Sequence, residues 1–143
     1  MNQKPKYLID TNVFLRVFVR ENEQAYQSSK KMLEACRTGL IKAIAHDLVL
    51  AELICILQGV YKQPKQTAVE LVASIVNLRG LEVISGFDER MALNLYKTSS
   101  VKYIDACLAS IDEISKKEWV IVSYDSDFKK LPVIWQRPEE MKF

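Results

Sequence analysis

A chain of 143 residues, 49% hydrophobic and 27% charged, has the balance of one soluble domain that buries a single sizeable core, which argues against a multidomain or disordered chain. Its longest apolar run, Leu48 to Leu57, is broken by Glu52 and falls short of the ~20 residues a membrane helix needs, so no bilayer span is expected. The formal net charge of +2 is too small to identify a polyanionic partner, and its distribution matters more.

The segment Met1 to Tyr7 carries Lys4 and Lys6 but no apolar stretch or small-residue cleavage site, so no signal peptide is expected and the expected location is cytoplasmic. Tyr7 to Ile9 reads as a short strand, and Asn12 to Val19 continues through a turn into a helix, with Asp10 at the junction. Glu21 to Arg37 has helical periodicity through Ala25, Ser29, Met32, Leu33 and Cys36, and Gly39 is placed to stop it. Leu40 to Ala45 reads as a second strand. Asp47 to Tyr61 is apolar for too long to be a strand and reads as a buried helix. Lys65 to Arg79, after Pro64, is another, closed by Gly80. Leu81 to Ile84 is a third strand, and Asp88 to Lys97 and Tyr103 to Lys117 read as helices, the second capped by Ser99 or Ser100. Trp119 to Ser123 is the clearest strand, and Val133 to Trp135 adds a last one. No repeat, low-complexity tract or flexible linker interrupts this order, so residues 1–143 are expected to form one domain. Strands alternating with helices predict the three-layer α/β class, a central parallel sheet flanked by helices.

Cys36, Cys55 and Cys107 are odd in number and widely spaced, and they read as reduced core residues rather than as a disulfide framework or a zinc ribbon. The single histidine, His46, would have to serve every Ser-His-Asp, Cys-His or multi-histidine site, so catalysis is expected to rest on carboxylates.

Four acids stand where acids are costly. Glu52 has Leu48, Val49, Cys55 and Ile56 three and four positions away on its helix, so its carboxylate is expected to be largely buried and to need a partner or a metal. Asp105 repeats the pattern among Val101, Lys102, Leu108 and Ala109, although Lys102 offers a simple ion pair along the helix. Asp10 and Asp125 each follow a strand, at the edge of a parallel sheet where ligands bind, and each also has a local reading, as a helix cap and as an Asx turn. Asp127 is similar. A cleft that gathers such acids needs a cation, and an all-oxygen donor set suits Mg²⁺ or Mn²⁺ and, through them, a phosphoester substrate.

Four segments resemble a known family in its order: Leu-Ile-Asp-Thr-Asn-Val-Phe-Leu-Arg at 8 to 16, Leu-Ala-Glu-Leu at 50 to 53, Ile-Asp-Ala-Cys-Leu-Ala at 104 to 109 and Val-Ser-Tyr-Asp-Ser-Asp-Phe at 122 to 128. Over roughly Tyr7 to Trp135 the chain resembles a PIN domain, specifically the small bacterial and archaeal ribonuclease toxins of the VapC type. The resemblance implies a Mg²⁺- or Mn²⁺-dependent endoribonuclease, usually a homodimer and usually silenced by a cognate antitoxin. Asp10, Glu52, Asp105 and Asp125 match the family's acidic quartet, and Asp127 an additional acid found in many members. Thr11, Asn12 and Ser123 match small polar positions beside the site and are assigned an orienting role; Ser123 stands where threonine is commoner. The implied reaction is hydrolysis by a metal-activated water, leaving a 5′-phosphate and a 3′-hydroxyl. His46 has no expected counterpart and reads as a surface or cap residue.

Setting the quartet aside leaves 14 acidic against 20 basic residues, an excess of +6 able to steer RNA towards a metal-filled acidic pocket. Arg16, Arg20, Lys129 and Lys130 are the candidate phosphate contacts. The long apolar helices from Asp47 to Arg79 offer a surface for a second copy or an antitoxin peptide. Other readings are a catalytically silent PIN-like module that binds RNA or protein, and a stand-alone RNA-processing nuclease. A haloacid-type phosphatase lacks its second aspartate, since Asn12 stands there, and a phosphorelay receiver lacks its central phosphoacceptor and later lysine.

Overall fold

The computed structural model of the chain describes residues 4–143, so the start of the segment read for a signal peptide lies outside the described residues. Strand β1 (Lys6–Ile9) runs into helix α1 (Thr11–Phe18), and α2 (Glu23–Arg37) leads to β2 (Lys42–His46). The hairpin of α3 (Asp47–Gly59) and α4 (Lys65–Val76) precedes β3 (Leu81–Ile84). Three helices, α5 (Glu89–Thr98), α6 (Tyr103–Ala109) and α7 (Asp112–Ser115), then lead to β4 (Val120–Val122) and β5 (Trp135–Gln136).

The strands form one five-stranded sheet in the order β3-β2-β1-β4-β5, every pair parallel. Helices flank it, as the three-layer reading requires. The central strands are buried along most of their length, Leu8 and Ile9 in β1, Ala43 to His46 in β2 and all of β4, which is what a sheet covered on both faces demands. Phe14, Leu53, Leu108 and Phe128 fill the space around them. The chain winds outward from β1 in both directions, so the sheet has its topological switch between β1 and β4, the place in an open α/β sheet at whose strand carboxyl ends ligands bind.

Most boundaries follow the sequence, and the exceptions have local causes. Helix α2 starts at Glu23 rather than Glu21 because the Asn22 side chain accepts from the Ala25 N–H and caps it. Helix α4 stops at Val76, three residues short of Arg79. Gly80 beyond it sits at φ +86°, and a Cβ there would come within 2.3 Å of the Cys36 carbonyl oxygen, so only glycine lets α2 and the start of β3 approach this closely. The expected helix from Tyr103 to Lys117 is two helices. Its backbone breaks at Ser110, whose carbonyl accepts from the Asp88 N–H of the loop before α5 instead of continuing the helical ladder. Lys102, not Ser99 or Ser100, takes the cap position of α6, with no side-chain capping bond. The last strand is Trp135–Gln136 rather than Val133 to Trp135.

Cys36 and Cys107 are buried as expected, but Cys55 is exposed, because α3 buries only the narrow stripe Val49, Leu53 and Leu57. His46 is a cap, and it is buried rather than at the surface. Its Nδ1 accepts from the Leu48 N–H at 3.1 Å, which leaves Nε2 to donate to the Gly86 carbonyl at 3.0 Å. Among the described residues no helix is long and apolar enough to cross a membrane.

Candidate active site

Asp10 extends β1 by one residue, its N–H donating to the Val122 carbonyl at 3.0 Å, so register alone sets it beside Ser123 at the end of β4. Its carboxylate is buried and fully bonded. Oδ1 accepts from the Thr11 N–H at 2.8 Å, and Oδ2 accepts from the Ser123 hydroxyl at 2.7 Å and the Asn12 amide at 3.4 Å. Asn12 also donates to the Ser123 oxygen at 3.0 Å and accepts from the Tyr124 N–H at 3.0 Å. The Asp125 N–H donates to the same Ser123 oxygen at 3.0 Å, so one hydroxyl joins the two strand ends. Asn12 and Ser123 thus both bond to the Asp10 carboxylate. Thr11 contributes its backbone N–H, while its buried hydroxyl has no partner.

Asp125 forms the expected Asx turn, accepting from the Asp127 N–H at 2.9 Å, and so opens the 3-10 turn Ser126–Lys130. Helix α6 brings Asp105 to this turn from its own first turn. One carboxylate oxygen from each of Asp105, Asp125 and Asp127 lies within 4.8 Å of the others. Glu52, on α3, is half-buried rather than largely buried. Its apolar neighbours Leu48 and Ile56 are themselves only partly covered, and its charge acts on Asp10 and Asp105.

Asp105 is wholly buried, and neither of its oxygens has a hydrogen-bond partner. The ion pair with Lys102 that the sequence offered is not made: the Lys102 Nζ lies 3.8 Å from Asp125 Oδ2 instead. Burial, then the charge of Asp10, pushes the Asp105 carboxyl up to about 7, against the pull of Lys102. Burial raises Asp10 above the ordinary range as well, although its bonds from Ser123 and Thr11 oppose the rise. A bare buried carboxylate facing two further carboxylates is a donor set that a hard divalent ion satisfies, so the residues present fit Mg²⁺ or Mn²⁺.

A profile of the PIN domain matches residues 7–134. The chain belongs to the PIN domain family. Among solved structures, a chain of VapBC2 from Rickettsia felis, crystallised bound to a DNA fragment from the promoter, superposes on this PIN domain with a TM-score of 0.66 at 21% identity, covering 92% of this chain and 98% of that one. A chain of a toxin-antitoxin complex from Klebsiella pneumoniae superposes with a TM-score of 0.59 at 14% identity, covering 92% and 97%. At these identities the likeness is one of fold. No curated protein gives a significant sequence match.

The PIN domain's basic residues are placed less simply than the acids. Arg20 makes a paired contact with Glu23 at 2.7 and 2.6 Å, and Arg16 stands 3.9 Å from Glu21. Lys130 bridges Asp127 at 3.0 Å and the Ser100 carbonyl and hydroxyl at 3.1 and 3.2 Å. It straps the loop before α6 to the Asp125 turn. Lys129 is exposed and lies over the Trp135 ring at 5.8 Å. Sequence reasoning missed Lys130 as a strap and Tyr124, whose hydroxyl meets Ser29 at 3.0 Å and donates to the Ala25 carbonyl at 3.1 Å, pinning the β4 end to α2. Nothing local marks either role, since Ser100, Ser29 and Ala25 lie far off in sequence from the residues they bind.

Proposed function

We propose that this PIN domain is a divalent-metal-dependent endoribonuclease, the toxin of a toxin-antitoxin pair, working in the cytoplasm as a homodimer. The observation that carries the reading is Asp105, buried with both oxygens bare beside Asp125 and Asp127. Asp105, Asp125 and Asp127 would hold a Mg²⁺ or Mn²⁺ ion, with Asp10 and Glu52 completing the negative cleft. The ion, when bound, supplies the Lewis acidity that activates a water and offsets phosphate charge.

The chain's own residues do the rest. Asp10 is fixed by Ser123 and Asn12, so its carboxylate meets whatever enters the cleft without reorganising. The Ser123 hydroxyl keeps the Asp10 and Asp125 ends at a set separation, and Lys130 holds α6, and with it Asp105, against the same turn. Without a cation this many carboxylates repel a phosphodiester, so RNA binding is expected to depend on the ion. A bare buried carboxylate beside two further acids has no use in a silent binding module, which favours catalysis.

The antitoxin partner is supported by the two structural neighbours, both from toxin-antitoxin assemblies, and a second copy by Val69 and Val76, exposed on α4. The test is cleavage of single-stranded or looped RNA by purified protein. Activity is expected in Mg²⁺ or Mn²⁺, with 5′-phosphate and 3′-hydroxyl ends, and none in chelator. Undiminished cleavage by Asp10→Asn or Asp105→Asn would remove these acids from the reaction. Induction without growth arrest would count against a toxin, and light scattering showing only a ~16 kDa particle at high concentration against a dimer.

A further inference from the structure

Among the described residues, the candidate basic side chains divide into fixed and loose ones. Arg20 is committed to Glu23 and Lys130 to Asp127 and Ser100, each at hydrogen-bonding distance. Lys102 is different. Its Nζ lies 3.8 Å from Asp125 Oδ2, too far for a hydrogen bond, and its side chain is 60% exposed. It occupies the cap position of α6 without a capping bond, so no local structure depends on its side chain. Yet Asp105, Glu52, Asp10 and Asp125 all bear on this one ammonium. Its one close approach is the 3.8 Å to Asp125, and the charges of Asp105, Glu52 and Asp10 act on it from farther away.

A charge held this way moves when the field changes. A divalent ion placed among Asp105, Asp125 and Asp127 cancels the attraction and repels the ammonium, which leaves Lys102 beside the cleft without a counter-charge. The group that then restores the balance is the phosphate of an incoming RNA. We propose that Lys102 is a displaceable counter-ion: it neutralises the acids in the metal-free protein and transfers to the substrate phosphate once the cleft is loaded. Lys102 therefore opposes metal binding alone and favours RNA binding with metal present, which couples the two. The inference rests on the metal-dependent ribonuclease reading and concerns a positioning residue, not a ligand of the ion.

The experiment titrates Mn²⁺ into three RNA-free proteins, wild type, Lys102→Met and Lys102→Arg, by calorimetry, with thermal melts in chelator to verify folding. Removal of the positive charge is expected to tighten Mn²⁺ binding about five- to tenfold, while Lys102→Arg stays near wild type. In a second arm, binding of a labelled single-stranded RNA is measured in Ca²⁺ at several salt concentrations. Lys102→Met is expected to bind more weakly and to lose about 0.7 from the slope of log affinity against log salt, the share of one phosphate contact on a single strand. Rescue of both effects by arginine separates charge from packing. Equal Mn²⁺ affinity in all three proteins overturns the counter-ion role, and unchanged RNA binding overturns the transfer to phosphate. Absence of Mn²⁺ binding to the wild type would instead overturn the metal site on which the inference rests.

Discussion

Asp10 and Asp105 are both buried carboxylates of one cleft, and they are treated in opposite ways. Asp10 accepts from Thr11, Ser123 and Asn12, whereas Asp105 accepts from nothing. A buried acceptor left bare costs roughly 1–3 kcal/mol, more when charged, and the Asp105 oxygens, beside two further carboxylates, are placed where a cation would remove that cost. In the function proposed above, this difference makes Asp10 the fixed wall of the site and Asp105 the group held open for a ligand.

The largest expected effect separates ligand from packing. Asp105→Asn is expected to lower RNA cleavage roughly a thousandfold, the several kcal/mol a metal centre is worth. In chelator above pH 7, where the wild-type carboxyl is ionised, it is expected to be more stable than wild type by about 1–3 kcal/mol, since a neutral amide replaces a bare charge. A variant that melts lower and cleaves normally would make Asp105 a plain structural residue.

The second effect is on pH. An acid whose folded pKa lies above its unfolded value favours the protonated folded state, so its stabilising contribution is present below the ordinary carboxylate range and is lost as pH rises towards about 7. The Asp105 contribution to the stability of the chelated wild type is therefore expected to fall, by up to about 4 kcal/mol, between pH 4 and pH 7. Asp105→Asn should flatten that part of the profile, and added Mg²⁺ should stabilise wild type more as pH rises. Denaturant melts across this range measure it.

How much of this was visible in the sequence depends on where each partner lies. Asp10 and Asp125 were legible because each directly follows an apolar strand, and parallel strands share one ligand-binding edge. Asp105 was legible as a misplaced acid, but its sequence neighbour Lys102 looked like a partner; only the structure shows that ammonium facing Asp125. Glu52 was misread because apolar neighbours three and four residues away do not guarantee that another element covers them, and α3 buries a single narrow stripe. The break at Ser110 and the strap made by Lys130 were invisible, since the first answers to Asp88 and the second to Ser100.

Smaller effects sharpen the contrast. Ser123→Ala removes the hydroxyl shared by Asp10, Asn12 and Asp125, and is expected to cost about 1–2 kcal/mol of stability and about 10- to 100-fold in cleavage, read from melts and rates on the same preparation. Smallest of all is the change in melting for Asp10→Asn in chelator. Repulsion relieved is offset by hydrogen bonds weakened, so stability is expected to stay within about 1 kcal/mol of wild type while cleavage is lost. A rise as large as that of Asp105→Asn would show that the bonds to Asp10 do not distinguish the two acids.

The most direct measurement is anomalous diffraction from Mn²⁺-soaked crystals of the wild type. A manganese peak is expected within coordination distance of an Asp105 oxygen, shared with Asp125 or Asp127, and absent from Asp105→Asn crystals treated alike. A cleft without manganese, or a peak that bypasses Asp105 and leaves both its oxygens bare, would contradict the assignment of Asp105 as the acid held open for the ion.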